Sequence, residues 1–133
     1  EIARRAGVGH GTVFRRFPTK DALLAAVLAR HMAELAASAE AGCDDPDAGA
    51  AFDRFVRGTA EAYARNRSLV EAVKRCEDAP EVFALVGAVA QLLKHAQAAG
   101  AVRDDVDAMD ILSLIPTAAA YPQIVLDGLR PPG

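Results

Sequence analysis

The sequence predicts an all-α protein, and three observations carry that prediction. Alanine fills 30 of 133 positions, aromatic residues make up only 5% and tryptophan is absent, so the core must be assembled from small and aliphatic side chains on strong helix formers. Apolar residues recur three and four apart along most of the chain, the spacing of one helical face. Gly, Pro and Asp fall between the periodic stretches, where helices stop and start. With 52% hydrophobic and 25% charged residues, the chain is long enough to bury one sizeable core as a compact soluble body.

The elements follow in order. Ile2, Ala3 and Ala6 share a face, and Gly7 then stops the helix in the left-handed conformation, so residues 1–6 are the tail of a helix. His10 to Phe17 forms two helical turns in which Val13 and Phe17 dock inward while His10, Thr12, Arg15 and Arg16 look outward. Pro18 ends that helix. Thr19 caps the next, and Asp21 lies in its first turn, where the helix dipole favours an anion. Leu24, Val27, Leu28, His31 and Leu35 make a stripe running to about Glu40. A polar break at residues 42–47 separates a first unit, 1–44, from a second, 45–133.

In the second unit Ala50 to Arg65 carries the stripe Phe52, Phe55, Val56, Thr59 and Tyr63, and Asn66 ends it. Ser68 caps a short helix through Arg75. Pro80 lies in the first turn of a helix running to Ala99, before Gly100. Val82, Phe83, Leu85, Val86, Val89, Leu92 and Leu93 occupy nearly every direction of that helix, which predicts burial on most sides. Asp107 and Asp110 form a capping arrangement for a helix from Ala108 to about Tyr121, in which Pro116 removes the bond to the Leu112 carbonyl and predicts a kink. Ile124 to Leu129 is a short last helix joined tightly at Tyr121-Pro122.

Charge is unevenly placed. The whole chain carries −3, yet residues 1–30 hold Arg4, Arg5, Arg15, Arg16, Lys20 and Arg30 against Glu1 and Asp21, a local balance of +4. The remaining residues then sum to −7. A field acts within about 8–10 Å before salt screens it, so the first segment prefers a polyanion whatever the total.

Several classes are excluded. No apolar run approaches the ~20 residues of a bilayer span, and the N-terminus lacks the pattern of a signal peptide, which points to a cytoplasmic protein with no membrane partner. Cys43 and Cys76 have no metal-like or redox-like spacing and read as reduced thiols. His10, His31 and His95 are too dispersed for a metal triad, so neither a metal nor another cofactor is expected. Gly7, Gly9 and Gly11 fail the dinucleotide fingerprint, because no strand precedes them and the third glycine falls one residue early. No nucleophile and base are grouped as an enzyme would need.

A helix, a Gly-containing three-residue turn, a short basic helix and a long helix together have the form of a helix-turn-helix, whose second helix enters the major groove. Gly9 and Gly11 leave the backbone amides at that helix's N-terminus open to a phosphate. From Ile2 to Leu24 the chain resembles the DNA-binding region of the tetracycline-repressor (TetR) family over about 23 consecutive positions. Gly100-Ala101-Val102-Arg103-Asp104-Asp105-Val106 resembles, more weakly, a segment of that family's C-terminal domains.

The resemblance implies a homodimer in which an N-terminal three-helix domain binds an inverted-repeat double-stranded DNA operator and a C-terminal helical domain holds a small effector. It implies that the family's first helix precedes Glu1. His10, Thr12 and Arg15 take the groove-facing roles, and Phe14, Arg16 and Lys20 the phosphate contacts, beside the open backbone of Gly11. Two positions depart from the family pattern. Gly9 replaces the usual capping Ser, and Phe14 replaces a Tyr whose hydroxyl reaches a phosphate, so that hydrogen bond is lost.

Phe52, Phe55, Thr59, Tyr63, Cys76, Phe83, Val86 and Tyr121 are expected to face inward around the effector, with Thr59 and Tyr63 as the sparse polar groups that orient a mostly apolar ligand. Two copies are expected to pair through the last two long helices. The reading is a ligand-responsive repressor. A helical small-molecule-binding or scaffolding dimer without DNA binding is the alternative, motivated by Gly9, Phe14 and the acidic second unit.

Overall fold

The computed structural model describes residues 19–67 and 80–132, and these residues form five helices and no strand. They are α1 (Lys20–Gly42), α2 (Ala48–Arg65), α3 (Pro80–Ala98), α4 (Ala108–Ala120) and α5 (Pro122–Leu129). The predicted helices at 1–6, 10–17 and 68–75 lie outside the described residues.

Local chemistry sets the ends. Thr19 caps α1, its hydroxyl accepting from the Ala22 amide at 2.9 Å, as expected of a Thr before a helical run. Asp47 caps α2 by accepting from the Ala50 amide at 3.0 Å, which starts that helix two residues earlier than its apolar stripe predicts. Asp107 and Asp110 bond each other's backbone N–H groups, both at 2.9 Å, the reciprocal arrangement of a capping box. After α3 the chain turns at Gly100, whose φ is +74°, and the Ala101 amide reaches back to the Ala96 carbonyl at 2.9 Å. A side chain is disfavoured in that left-handed turn, which is why glycine follows the helix.

Packing selects the faces. α1 lies mainly against α3, and α2 mainly against α4, with α5 folded back on α4. Their shared core is continuous, and Phe52, Val56, Val89, Leu92 and Ile111 are its most enclosed large side chains. On α1 the buried seam is Leu28, Met32, Ala36 and Ala39, displaced from the predicted stripe. Val27, His31 and Leu35 are only half-buried. Alanines on the seam let α1 settle close to α3, and the bulkier residues flank the contact.

The expectation that the 80–98 helix is buried on most sides is corrected. Its core face is Leu85, Ala88, Val89, Leu92, Leu93 and Ala96, whereas Phe83, Ala84, Gly87, Gln91 and Lys94 are exposed. α4 continues through Pro116, which sits on the exposed side. Tyr121 alone joins α4 to α5: its amide donates to the Thr117 carbonyl at 2.8 Å and its carbonyl accepts from the Val125 amide at 3.2 Å. Pro122 follows in the first turn, where a missing N–H costs nothing.

Candidate nucleic-acid and effector sites

Of the residues expected at a DNA backbone or groove, Lys20 is within the described structure, exposed in the first turn of α1 directly after the Thr19 cap. His10, Gly11, Thr12, Phe14, Arg15 and Arg16 lie outside it. α1 is therefore the element that leaves the basic N-terminal segment and enters the helical core. Its 23 residues span roughly 34 Å at 1.5 Å per residue. The far end meets α2 at a short turn, residues 43–47.

The residues expected around an effector divide into three groups. Phe52 and Phe55 are buried in the core, and Thr59 lies on the same face of α2 with 7% of its surface exposed. Thr59 is the buried polar residue of the described structure, and its Oγ1 has no hydrogen-bond partner there. Such an orphan is uncommon, because an unsatisfied buried hydroxyl forfeits its hydration without recompense. Tyr63 and Val86 are half-buried and pack against the core. Cys76 lies outside the described residues.

Phe83 and Tyr121 do not face inward, contrary to expectation. They are 65% and 60% exposed. Phe83 precedes Leu85 by two positions, about 200° around a helix, so burial of Leu85 turns Phe83 outward. Tyr121 occupies the joint between two helices with φ −135° and ψ 67°, where helical periodicity no longer directs a side chain. Met109 and Ile124 are exposed as well, at 57% and 68%.

Two clefts open among the described residues. One of about 340 Å³ lies between the 103–106 segment, α4 and α5, and is walled chiefly by Val106, Leu114, Ile124, Val125 and Leu129. The other, about 250 Å³, is bordered by Ser38, Gly42, Ala51, Arg54 and Phe55 where α1 meets α2. Neither contains Thr59. No group of three His, Cys, Asp or Glu side chains converges among the described residues as a metal site would require.

Two arrangements escaped the sequence reading. Arg103 uses its amide to donate to the Leu129 carbonyl at 2.8 Å, its Nη1 to donate to the Gly128 carbonyl at 3.2 Å, and its guanidinium fork to pair with Asp105. That pairing raises the Arg103 pKa further and holds the Asp105 carboxyl below the usual carboxylate range, in each case chiefly by side-chain hydrogen bonding. His95 donates from Nε2 to the Asp45 carbonyl at 2.9 Å, and Arg54 pairs with the Asp45 carboxylate at 2.7 Å. The Arg54 hydrogen bond is the main cause of a lowered Asp45 pKa.

Comparison with known proteins places this architecture. Residues 1–27 match the family model for bacterial regulatory proteins of the tetR family, and residues 47–131 match the C-terminal domain of SbtR-like transcriptional regulators. The chain belongs to the TetR family. A TetR transcription regulatory protein from Mycobacterium vanbaalenii is 36% identical, with a TM-score of 0.74 over 96% of this chain and 80% of that one. A TetR transcriptional regulator from Streptomyces coelicolor is 27% identical, with a TM-score of 0.72 over 98% of this chain and 86% of that one. A comparison with curated proteins finds no match.

This TetR protein is a DNA-binding transcriptional regulator, and its family members are regulators and not enzymes. The 1–27 match falls on the segment of local positive charge. No helix among the described residues is long and apolar enough to cross a membrane.

Proposed function

We propose that this TetR protein is a repressor that a small, mostly apolar effector releases from an inverted-repeat operator. The observation that carries the DNA half is the coincidence of the family's DNA-binding model, residues 1–27, with the basic segment of an otherwise acidic chain. His10, Thr12 and Arg15 read the groove. Gly11 offers its backbone to the phosphates beside Phe14, Arg16 and Lys20, with Phe14 contributing contact but no hydrogen bond. Residues 1–44 then form the DNA-binding unit with its connecting helix, and 45–133 the effector and pairing unit. The two family matches, ending at 27 and beginning at 47, support that division.

The effector half rests on Thr59. A hydroxyl enclosed among apolar side chains with no partner among the described residues is a group that a ligand's donor or acceptor would satisfy. Phe52, Phe55, Tyr63, Val86 and Cys76 are its proposed neighbours in an apolar pocket. Phe83 and Tyr121 are left out of that pocket by their exposure. Instead, Tyr121 joins Met109 and Ile124 as apolar surface on the last helices, where a second copy pairs. A dimer sets its two reading helices about 34 Å apart, or a multiple of that, to match successive major grooves.

The test is fluorescence anisotropy of the full-length protein on duplexes from its own promoter region at two salt concentrations, with Arg15→Ala alongside. Sequence-selective binding that falls steeply with salt and is lost in the variant is expected. Binding blind to sequence and to Arg15 would overturn the proposal.

A further inference from the structure

α5 has little of its own to keep it in place. Its eight residues fall below the ~12–15 at which an isolated helix becomes even marginally stable in water. Tyr121 gives its start no side-chain hydrogen bond, and Gly128, a poor helix former, occupies its last turn. Val125, Leu126 and Leu129 enter the core. The last carbonyls of any helix lack partners within it, and here Arg103 serves two of them. Its backbone amide donates to the Leu129 carbonyl at 2.8 Å, and its Nη1 donates to the Gly128 carbonyl at 3.2 Å. Asp105 takes the other edge of the same guanidinium through Nε and Nη2. A planar fork held along one edge has its remaining nitrogen aimed. The segment that carries both residues is itself anchored, because Gln97 of α3 donates from Nε2 to the Arg103 carbonyl at 3.0 Å and to the Val106 carbonyl at 3.1 Å. A chain of bonds thus runs from α3 through residues 103–106 to the end of α5.

We propose that Arg103 is the positioning residue that clasps α5 to the core, and that the clasp sets the pairing surface through bonds made within one chain. The effect on pairing rests on the association of the last helices proposed above, whereas the clasp itself does not. Ile124, 68% exposed, lies four residues before Gly128 and so on the same helical face. Releasing the Gly128 carbonyl frees the turn that presents Ile124. Arg103, Asp105 and Val106 also form one wall of the 340 Å³ cleft, and Ile124, Val125, Gly128 and Leu129 form another. The clasp bridges those walls and fixes their separation. Residues 100–106 thereby acquire a physical role: Gly100 turns the chain back, Arg103 holds α5 and Asp105 aims the holding group.

The experiment is amide hydrogen exchange of the full-length protein, read by mass spectrometry at protein concentrations below and above the pairing range, so that protection by the clasp is separated from protection by a second copy. Arg103→Met keeps the apolar stem and removes the guanidinium. It is expected to speed exchange across residues 124–129 about tenfold while residues 85–96 of α3 keep the parent rate. Arg103→Lys, which can donate to a carbonyl but cannot fill the fork, should fall between the two. Arg57→Met is the control: it cuts the 2.6 Å bond from Arg57 Nη2 to Gln123 Oε1 between exposed side chains at the start of α5, leaves the last carbonyls held, and should stay close to the parent. Sedimentation equilibrium should show pairing weakened several-fold by Arg103→Met.

Parent-like exchange across 124–129 in Arg103→Met overturns the proposal. So does an equal acceleration across 85–96, which would mean that the whole core had been loosened. A wild-type Arg103 Nε–H that exchanges with water as fast as free arginine also overturns it, and that measurement depends on no variant folding. Accelerated α5 exchange with pairing unchanged overturns the second half alone. A parent chain that stays single at every concentration would sink the pairing reading and leave the exchange result standing.

Discussion

Gly42 and Leu92 meet with no room between them: a β-carbon on Gly42 would lie 2.9 Å from Leu92 Cδ1 and 3.5 Å from the Ala51 β-carbon. Leu92 is wholly enclosed, so it has little freedom to rotate away. The contact brings the last turn of α1 onto α3 and draws α2 in beside them, and the Asp45 turn follows directly.

Gly42→Ala sets two effects against each other. Alanine gains roughly 0.5–1 kcal/mol of helix propensity over glycine, but an extra methyl in a closed core loses about 1–3 kcal/mol. Overpacking wins because the neighbouring atoms belong to a fully buried side chain. A net destabilisation of about 1 kcal/mol is expected from urea unfolding followed by circular dichroism, and a stabilised variant would show that Leu92 yields.

Thr59→Val removes a buried hydroxyl that has no partner among the described residues while nearly preserving shape. The unliganded protein should gain about 1 kcal/mol in the same unfolding measurement, because an unsatisfied group forfeits about 1–3 kcal/mol of hydration. If Thr59 orients the effector, the variant is also less responsive in an operator-release assay. A destabilised Thr59→Val would mean that the hydroxyl has a partner after all.

Asp107→Ala breaks the capping box at the start of α4, where Asp107 and Asp110 satisfy each other's amides. Loss of an N-cap side chain removes about 1 kcal/mol. The expected signature is a lower unfolding midpoint, with amide exchange accelerated first in residues 108–111. Asp107→Ser, which restores a capping oxygen, should recover most of the loss.

The acid limb of stability has a definite sign. Asp45 and Asp105 both have folded-state pKa values below the ordinary carboxylate value, held there first by hydrogen bonds from Arg54 and Arg103. A depressed carboxylate stabilises the fold above its unfolded pKa of about 3.9 and loses that contribution as pH falls through the lower folded value. Stability from these two groups is therefore constant near neutrality and declines below about pH 4. Carboxyl carbon chemical shifts followed by NMR against pH should place both midpoints below the ordinary carboxylate value. Midpoints at the ordinary value would show that the arginine pairs do not persist in solution.

The ends of the helices were legible in the sequence because their causes are local. Thr19, Asn66, Pro80, Gly100 and the Asp107–Asp110 pair each act within a few residues of themselves, and each stands at a helix boundary in the structure. The face each helix buries was legible only where one stripe dominates. On α2, Phe52, Phe55, Val56 and Thr59 are buried as the spacing predicts. On α1 and α3 apolar residues point in several directions, and periodicity cannot choose among them. His31 and Met32 are adjacent, and the core took Met32. Phe83 is the largest apolar side chain of α3, yet it faces outward because the core takes the face that carries Leu85 and Val89.

By itself, then, the sequence determined the all-helical class, the stops and starts, the basic N-terminal segment and the family, since each is written in neighbouring residues or in the sign of charge over a short stretch. The tertiary structure alone decided what pairs across the chain. His95 and Asp45 are 50 positions apart, and Arg103 reaches Leu129 across the 340 Å³ cleft's rim. Neither bond has a periodic or compositional trace, because a hydrogen bond depends on placing a donor within about 3 Å of an acceptor. Only the packing of α1 on α3, and of α5 back on α4, brings those atoms to that distance.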